Sequence, residues 1–413
     1  MSTSGQSAGL IIEHQCPQCG APATLAETDH LFNCGFCRVK SYLLTRFFQY
    51  VLPHKASEDK ELFFFPYWRI KGTLYSCVPQ GVKHRIVDMS YQALESRAFP
   101  ISQGLRGQTM KLRFVSPEME GRFLRPKVPF EDIQRMIEDQ SRVLLPNPIF
   151  RQSFIGETQS KLYAPFYMNG KLYDAVLNRP VSSELPEGFD LSELEAGSPD
   201  WQIQFIPAMC PNCSWDLEGD RDSLLLHCRN CKSAWYPGKS QLRKMKFVCL
   251  EGQGDDTYLP FYRIKVQVSG IALDSYADLI KVANLPKVVQ EEWKEREFHF
   301  WSPAFKVKPQ DFLKFSRNLT LSQPEAEGQS ELPDTKPYPV TLSLEEAVES
   351  LEINLANFMK PQRKLFPKLK EIEIKPKSAL LVYIPFHHKG MELSQPAYRL
   401  RVNQNILKYG RNL

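Results

Sequence analysis

No apolar run in this sequence is long enough to cross a bilayer. The longest, such as Ala379 to Phe386, fall well short of the roughly twenty residues that a spanning helix needs. An excess of one charge is also missing. Lys and Arg total 52 against 47 Asp and Glu, so the net charge of +5 gives only a weak pull toward an acidic partner. Met1 to Gly9 is rich in Ser and Gly, with neither a basic nor an apolar segment. No secretion leader is expected there, and a cytoplasmic protein is. Glycine is scarcer than proline, 21 against 31, which favours many short extended segments over long helices. Catalytic signatures are missing too. Gly238-Lys239-Ser240 ends like a phosphate loop, but Ser233 stands where its first glycine belongs. Gly252-Gln253-Gly254 lacks a third glycine, because Thr257 takes that place. His387-His388 has no carboxylate or cysteine at ligand spacing and reads as a strand or surface pair. The expectation is a protein that is not an enzyme, with no catalytic and no cofactor-binding residue.

The cysteines are what stands out. Eight of the ten form four C-x-x-C pairs: Cys16 with Cys19, Cys34 with Cys37, Cys210 with Cys213, and Cys228 with Cys231. Fourteen residues separate the inner cysteines in both sets. A C-x-x-C turn presents two thiolates on one side, and two such turns facing each other make a tetrahedral four-thiolate cage. Thr24-Leu25 and Leu31-Phe32 are expected as short strands of one hairpin, and Trp215 to Leu217 with Leu224 to Leu226 as those of the other. Disulfides are disfavoured by the missing leader, and a redox dithiol by the four matched pairs. Zn2+ at two structural sites is expected. Iron comes second, since no flavin, nicotinamide or haem signature accompanies the cysteines. Arg38, Lys40, Arg229 and Lys232 beside the second turns either relieve the thiolate charge or form a solvated rim. Cys77 and Cys249 remain unpaired and read as buried thiols.

Cys16-Pro17-Gln18-Cys19-Gly20 and its partner turns resemble the zinc-ribbon (rubredoxin-like) superfamily, including transcription factor IIB type ribbons and bacterial double-ribbon proteins. The resemblance covers the ribbons only and implies metal binding within a small β unit. Ribbons serve nucleic-acid binding, protein docking and structural stapling alike, so no single job follows. Ribbons of this kind carry Gly after the second Cys of a turn. Gly20 fits, whereas Arg38, Ser214 and Lys232 depart, so altered backbone geometry is expected at the second site.

The ribbons are offset by 194 residues, and the same offset overlays Phe64 to Lys71 on Tyr258 to Lys265. Phe114 to Pro117 and Phe300 to Pro303 align at a smaller offset. The pattern predicts a tandem duplication of a unit of about two hundred residues. Four aromatic-proline segments, centred on Pro66, Pro165, Pro260 and Pro385, read as first strands of hairpins. Lys71-Gly72, Asn169-Gly170 and Lys389-Gly390 supply three of the turns. Each proline is expected at an edge, a strand start or a bulge. The aromatics read as β core rather than base-stacking platforms, and Arg69 and Arg263 as each paired with a carboxylate of its own unit.

The expected fold class is therefore α+β and β-rich, with mostly antiparallel sheets and one or two helices. Residues 1–13 form a flexible tip and 14–40 the first ribbon. Residues 41–181 form a β-rich domain with a helix from Phe130 to Leu144, its apolar face made by Ile133, Met136, Ile137, Val143 and Leu144. An acidic linker spans 182–206, the second ribbon 207–236, and the second β-rich domain 237–413, with a mobile insert at 322–340. Ser343 opens a helix to about Met359. Basic stretches run through Lys239, Arg243, Lys244 and Lys246, then from Lys360 to Lys377, and read as solvated connectors. The function expected first is a zinc-binding, non-enzymatic interaction or scaffold protein with a protein partner. A nucleic-acid-binding protein is the alternative, and an iron electron carrier or unrecognised enzyme comes last.

Overall fold

The computed structural model describes residues 9–44, 47–199, 203–238, 241–332 and 335–411. The fold is α+β and β-rich, with several antiparallel sheets. Among the described residues no helix is long and apolar enough to cross a membrane. The chain divides into two compact units. The first holds Met1–Lys71, Val87–Gln140 and Glu157–Pro207; the second holds Gly72–Ile86, Ser141–Gly156 and Ala208–Leu413. The chain thus passes between units several times, rather than in the one step expected at residues 182–206.

In chain order the first unit and its crossing elements are β1 (Ile11–Gln15), β2 (Pro22–Ala26), β3 (Leu31–Asn33), β4 (Lys40–Leu43), β5 (Phe48–Val51), β6 (Phe63–Val78), β7 (Gly81–Gln92), β8 (Lys111–Phe114), β9 (Arg122–Phe123), α1 (Phe130–Leu144), β10 (Arg151–Asn169), β11 (Lys171–Asp174), β12 (Arg179–Pro180) and β13 (Phe205–Pro207). The main sheet runs β12-β11-β10-β5-β8-β1-β2, with β6 joined to β10, β7 and β9. Period-two patterning explains the strands that have one solvent-facing side. In β8, Leu112 and Phe114 are buried while Lys111 and Arg113 are exposed. In contrast, β6 is buried along nearly its whole length, with Arg69 and Lys71 buried among its aromatic and aliphatic residues.

Several expectations change here. Residues 11–13 lie in β1, with Leu10 and Ile12 buried, so the described part of the expected flexible tip is packed. The acidic stretch is packed against its unit: Arg125 donates its N–H to the Glu195 carbonyl, and β13 pairs with β4. The helix α1 has the expected bounds, but Val143 and Leu144 are exposed, and its buried face is Phe130, Ile133, Ile137 and Ser141. Lys71-Gly72 lies inside β6, and the turn comes later, ending at Gly81. Asn169-Gly170 and Lys389-Gly390 are turns as expected, both glycines having positive φ.

The second unit continues with β14 (Leu226–Cys228), β15 (Ser233–Pro237), β16 (Leu242–Met245), β17 (Phe247–Cys249), β18 (Thr257–Ser269), α2 (Tyr276–Val282), α3 (Glu292–Glu295), β19 (His299–Pro303), α4 (Pro309–Ser322), α5 (Leu344–Glu349), α6 (Leu351–Phe358), α7 (Gln362–Leu365), β20 (Glu373–Lys389), β21 (Glu392–Gln395), β22 (Leu400–Asn403) and α8 (Gln404–Gly410). Its main sheet is β19-β18-β20-β21-β22, with β17 parallel to β20. Ser343 caps α5 through a capping box with Glu346, as its sequence suggests. The described part of 322–340 is bonded rather than free. Gln329 and Cys249 exchange backbone bonds, and the Tyr338 N–H donates to the Tyr258 carbonyl.

The same bonds recur in both units. Ala93 N–H donates to Pro66 O, and Ala304 N–H to Pro260 O, both at 3.0 Å. Lys127 and Val128 then donate to Ala93 O, as Thr341 and Leu342 do to Ala304 O. Trp68 Nε1 reaches Val128 O, and Tyr262 Oη reaches Leu342 O. A helix follows two residues later in each case, at Phe130 and at Leu344. By these bonds the end of β7 is the counterpart of β19. The aligned Phe114 is not, since β8 pairs with β1 and β5. All four aromatic-proline carbonyls accept such a bond, from Ala93, Ala175, Ala304 and the Gln395 side chain. The flanking Phe65, Tyr67, Phe166, Phe261, Tyr383 and Phe386 are buried, so these segments build core. Pro260 sits in a central strand rather than at an edge.

Candidate metal centres

In the first ribbon the two Cys turns cap two separate hairpins. Cys16 and Cys19 lie between β1 and β2, which pair with each other, and Cys34 and Cys37 lie between β3 and β4, which also pair. The single hairpin expected from Thr24-Leu25 and Leu31-Phe32 is therefore replaced by two. The second ribbon repeats this with less strand. Bridge Met209–Asp216 flanks Cys210 and Cys213, and β14–β15 flanks Cys228 and Cys231.

All eight predicted sulfurs gather into two groups, within 4.8 Å of one another in each. Cys16 to Cys37 is 3.8 Å and Cys19 to Cys34 is 3.7 Å. Cys210 to Cys231 is 3.5 Å and Cys213 to Cys228 is 3.4 Å. An ideal tetrahedron with metal–sulfur bonds of about 2.3 Å has sulfur–sulfur edges of about 3.8 Å. A disulfide of about 2.05 Å is far shorter, so the arrangement suits an ion of the zinc or iron kind.

The backbone at the turns is uniform. Gly20, Arg38, Ser214 and Lys232 follow the second Cys of each turn, with φ of 71°, 61°, 58° and 51°. The altered geometry expected where glycine is missing does not occur, and three residues with a Cβ hold the left-handed conformation instead. The reason is the turn's own bonding. Gly20, Arg38 and Ser214 N–H groups donate to the carbonyls of Cys16, Cys34 and Cys210. The leading cysteines Cys16, Cys34, Cys210 and Cys228 are buried, while Cys19 is exposed and Cys37, Cys213 and Cys231 are half-buried.

The thiols within each group are shifted apart: burial and the neighbouring cysteines push Cys37 and Cys228 up to about 12, while donors pull a partner in each group down. Backbone N–H groups of Cys37 and Phe36 lower the Cys34 thiol to about 6, and Ser233 and Asn212 lower Cys231 to about 6. Ser233 accepts from Trp235 Nε1 at 2.8 Å and lies 3.0 Å from the Cys231 sulfur. Since the indole is a donor only, the serine proton is free for the sulfur. Arg229 pairs with Glu218 at 2.7 Å and Lys232 pairs with Glu331, so carboxylates engage both. Arg38 is exposed.

The remaining candidates separate. Arg69 pairs with Glu27 of the first ribbon and with Asp88, as expected for a structural cation. Arg263 has no carboxylate within ion-pair distance among the described residues. It lies 3.4 Å from the His299 ring instead, its Nε buried without a partner. The second ribbon is held by other means: His227 Nε2 lies 2.9 Å from Tyr383 Oη, and Arg411 pairs with Asp220 and Asp222. His387 does meet a carboxylate, Asp256, brought by β18 at 2.6 Å, a contact invisible to local spacing. His388 contacts Thr257 and Gln404. Cys77 and Cys249 are buried, each thiol pushed up to about 12 by desolvation. Lys239 and Ser240 lie outside the described residues. No protein-family model, curated protein or solved structure matches this chain.

Proposed function

We propose that this is a non-enzymatic zinc protein, a scaffold of two duplicated ribbon-plus-β units, each ribbon stapled by one structural Zn2+. Cys16, Cys19, Cys34 and Cys37 would hold one ion, and Cys210, Cys213, Cys228 and Cys231 the other. The observation that carries the reading is the pair of four-sulfur groups at near-tetrahedral spacing. With four protein ligands each, both would be closed sites of the structural type. The recurring bonds at Pro66 and Pro260 support a duplicated unit.

A docking role is supported by apolar side chains displayed on the ribbons. Phe36, within the turn of the first, is 70% exposed, and Trp215, beside the turn of the second, is 58% exposed. Two ribbons on one chain gain from effective concentration when they meet two similar protein surfaces. Purified protein should contain two zinc ions per chain by elemental analysis, and iron in their place would overturn the zinc assignment. Protein partners captured from the native cells should survive nuclease and be lost with Phe36→Ser and Trp215→Ser. Capture unaffected by both changes would remove the docking role.

A further inference from the structure

The second unit contains an open cleft of about 450 Å³, lined by Val82, Lys83, His84, the α4 residues Gln310, Leu313, Lys314, Arg317 and Asn318, and Asn357. The five α4 residues follow helical spacing, so they present one continuous stripe to it. Lys83, Lys314 and Arg317 are exposed, and none has an ion-pair partner among the described residues. The acid that interacts with Lys314 is Asp311, three residues earlier, and it lies beyond ion-pair distance.

Further cations adjoin the cleft. Lys314 donates to the Arg401 carbonyl at 3.2 Å, and Asn318 to the Arg399 carbonyl at 3.1 Å, and both arginine side chains are exposed. On the other side, the Gln362 side chain packs beside Gly81, the neighbour of the lining residue Val82, and the exposed Arg363 and Lys364 follow Gln362 in α7. In a cleft with low-dielectric walls, unpaired cations concentrate anions, and their like-charge repulsion is relieved when one binds.

We propose that this cleft binds the phosphodiester backbone of a single-stranded nucleic acid, with Lys83, Lys314 and Arg317 as its phosphate contacts. The cations on both sides of the cleft favour a chain over a single small anion. Three contacts of this kind are tolerant of sequence and sensitive to salt. The site shares no residue with either four-thiolate group or with the ribbon docking proposed above.

The test is fluorescence anisotropy of the zinc-loaded full chain with a labelled single strand of about 16 nucleotides, as RNA and as DNA. The variant Lys83→Gln/Lys314→Gln/Arg317→Gln should weaken binding by about tenfold or more and lower the salt slope by about 2. The variant Lys55→Gln/Lys171→Gln/Arg179→Gln removes the same charge from exposed positions in the first unit and should change binding by less than about twofold. Melting and zinc content check that both variants fold. Binding by at least one of the two strands with this pattern supports the proposal. Equal losses in the two variants, no binding of either strand, or binding of pyrophosphate alone would each overturn it.

Discussion

The Arg69 guanidinium lies 3.0 Å from the Asp88 carboxylate and also bonds to Glu27, a buried residue of the first ribbon. Arg69 and Glu27 side chains are only 5% and 2% exposed, so neither charge has water to fall back on. Removing one partner strands the other. Arg69→Met should destabilise the protein by about 3–5 kcal/mol in urea unfolding, because Glu27 is left charged and buried. Arg69→Met/Glu27→Gln should recover part of that loss. A single variant as stable as the wild type would show that the pair does not hold the ribbon down.

The left-handed turn residues offer the opposite change. Ser214 is exposed with φ of 58°, a conformation glycine adopts without a Cβ penalty. Ser214→Gly should stabilise the metal-loaded protein by about 1 kcal/mol, read from its urea midpoint. No gain would mean that the Cys210 turn holds Ser214 without strain.

Burial, aided by the nearby Arg263 charge, lowers His299 to about 4 from its ordinary 6.5. Lys265 also lowers it, while Glu297 opposes. The unfolded chain therefore takes up this proton at higher pH than the folded one. Stability from neutral His299 is complete above about pH 6.5 and is lost as the pH falls through that value toward 4. His299→Gln should flatten the fall in unfolding free energy over that window. An unchanged slope would place the acid sensitivity elsewhere.

Cys210→Ser should abolish metal at the second site and leave one ion per chain at the first. The sulfurs of the two sites belong to different groups and share no ligand. Loss of both ions by elemental analysis would show that the sites fold as one.

Much of the metal chemistry was legible because its information is local: the spacing of Cys16 to Cys37 and of Cys210 to Cys231 already implies facing turns. The bounds of α1 were legible for the same reason, since Phe130 follows a proline and Pro146 ends the run. Its face was misjudged at Val143 and Leu144, where the periodic pattern continues past the surface it packs on. The helix α4 escaped notice because its buried face includes Ser316 and Thr320, which interrupt the apolar stripe. Lys71-Gly72 looked like a turn, yet β6 runs through it, since pairing partners on both sides outweigh a local glycine. Asp256 beside His387, and Glu27 beside Arg69, are distant in sequence and follow only from the strand pairing.

The uneven burial of the cysteines would give an ion held in either group an inner and an outer side. Cys16 and Cys34 face the protein, whereas Cys19 is the sulfur that solvent reaches most freely. A chelator or a peroxide approaching this site therefore meets Cys19 first. Release would start by prising the ion off its outer ligands while the inner pair keeps its grip. Exchange of metal would then be a surface event, with a waiting half-cage behind it, and need not await the opening of the fold.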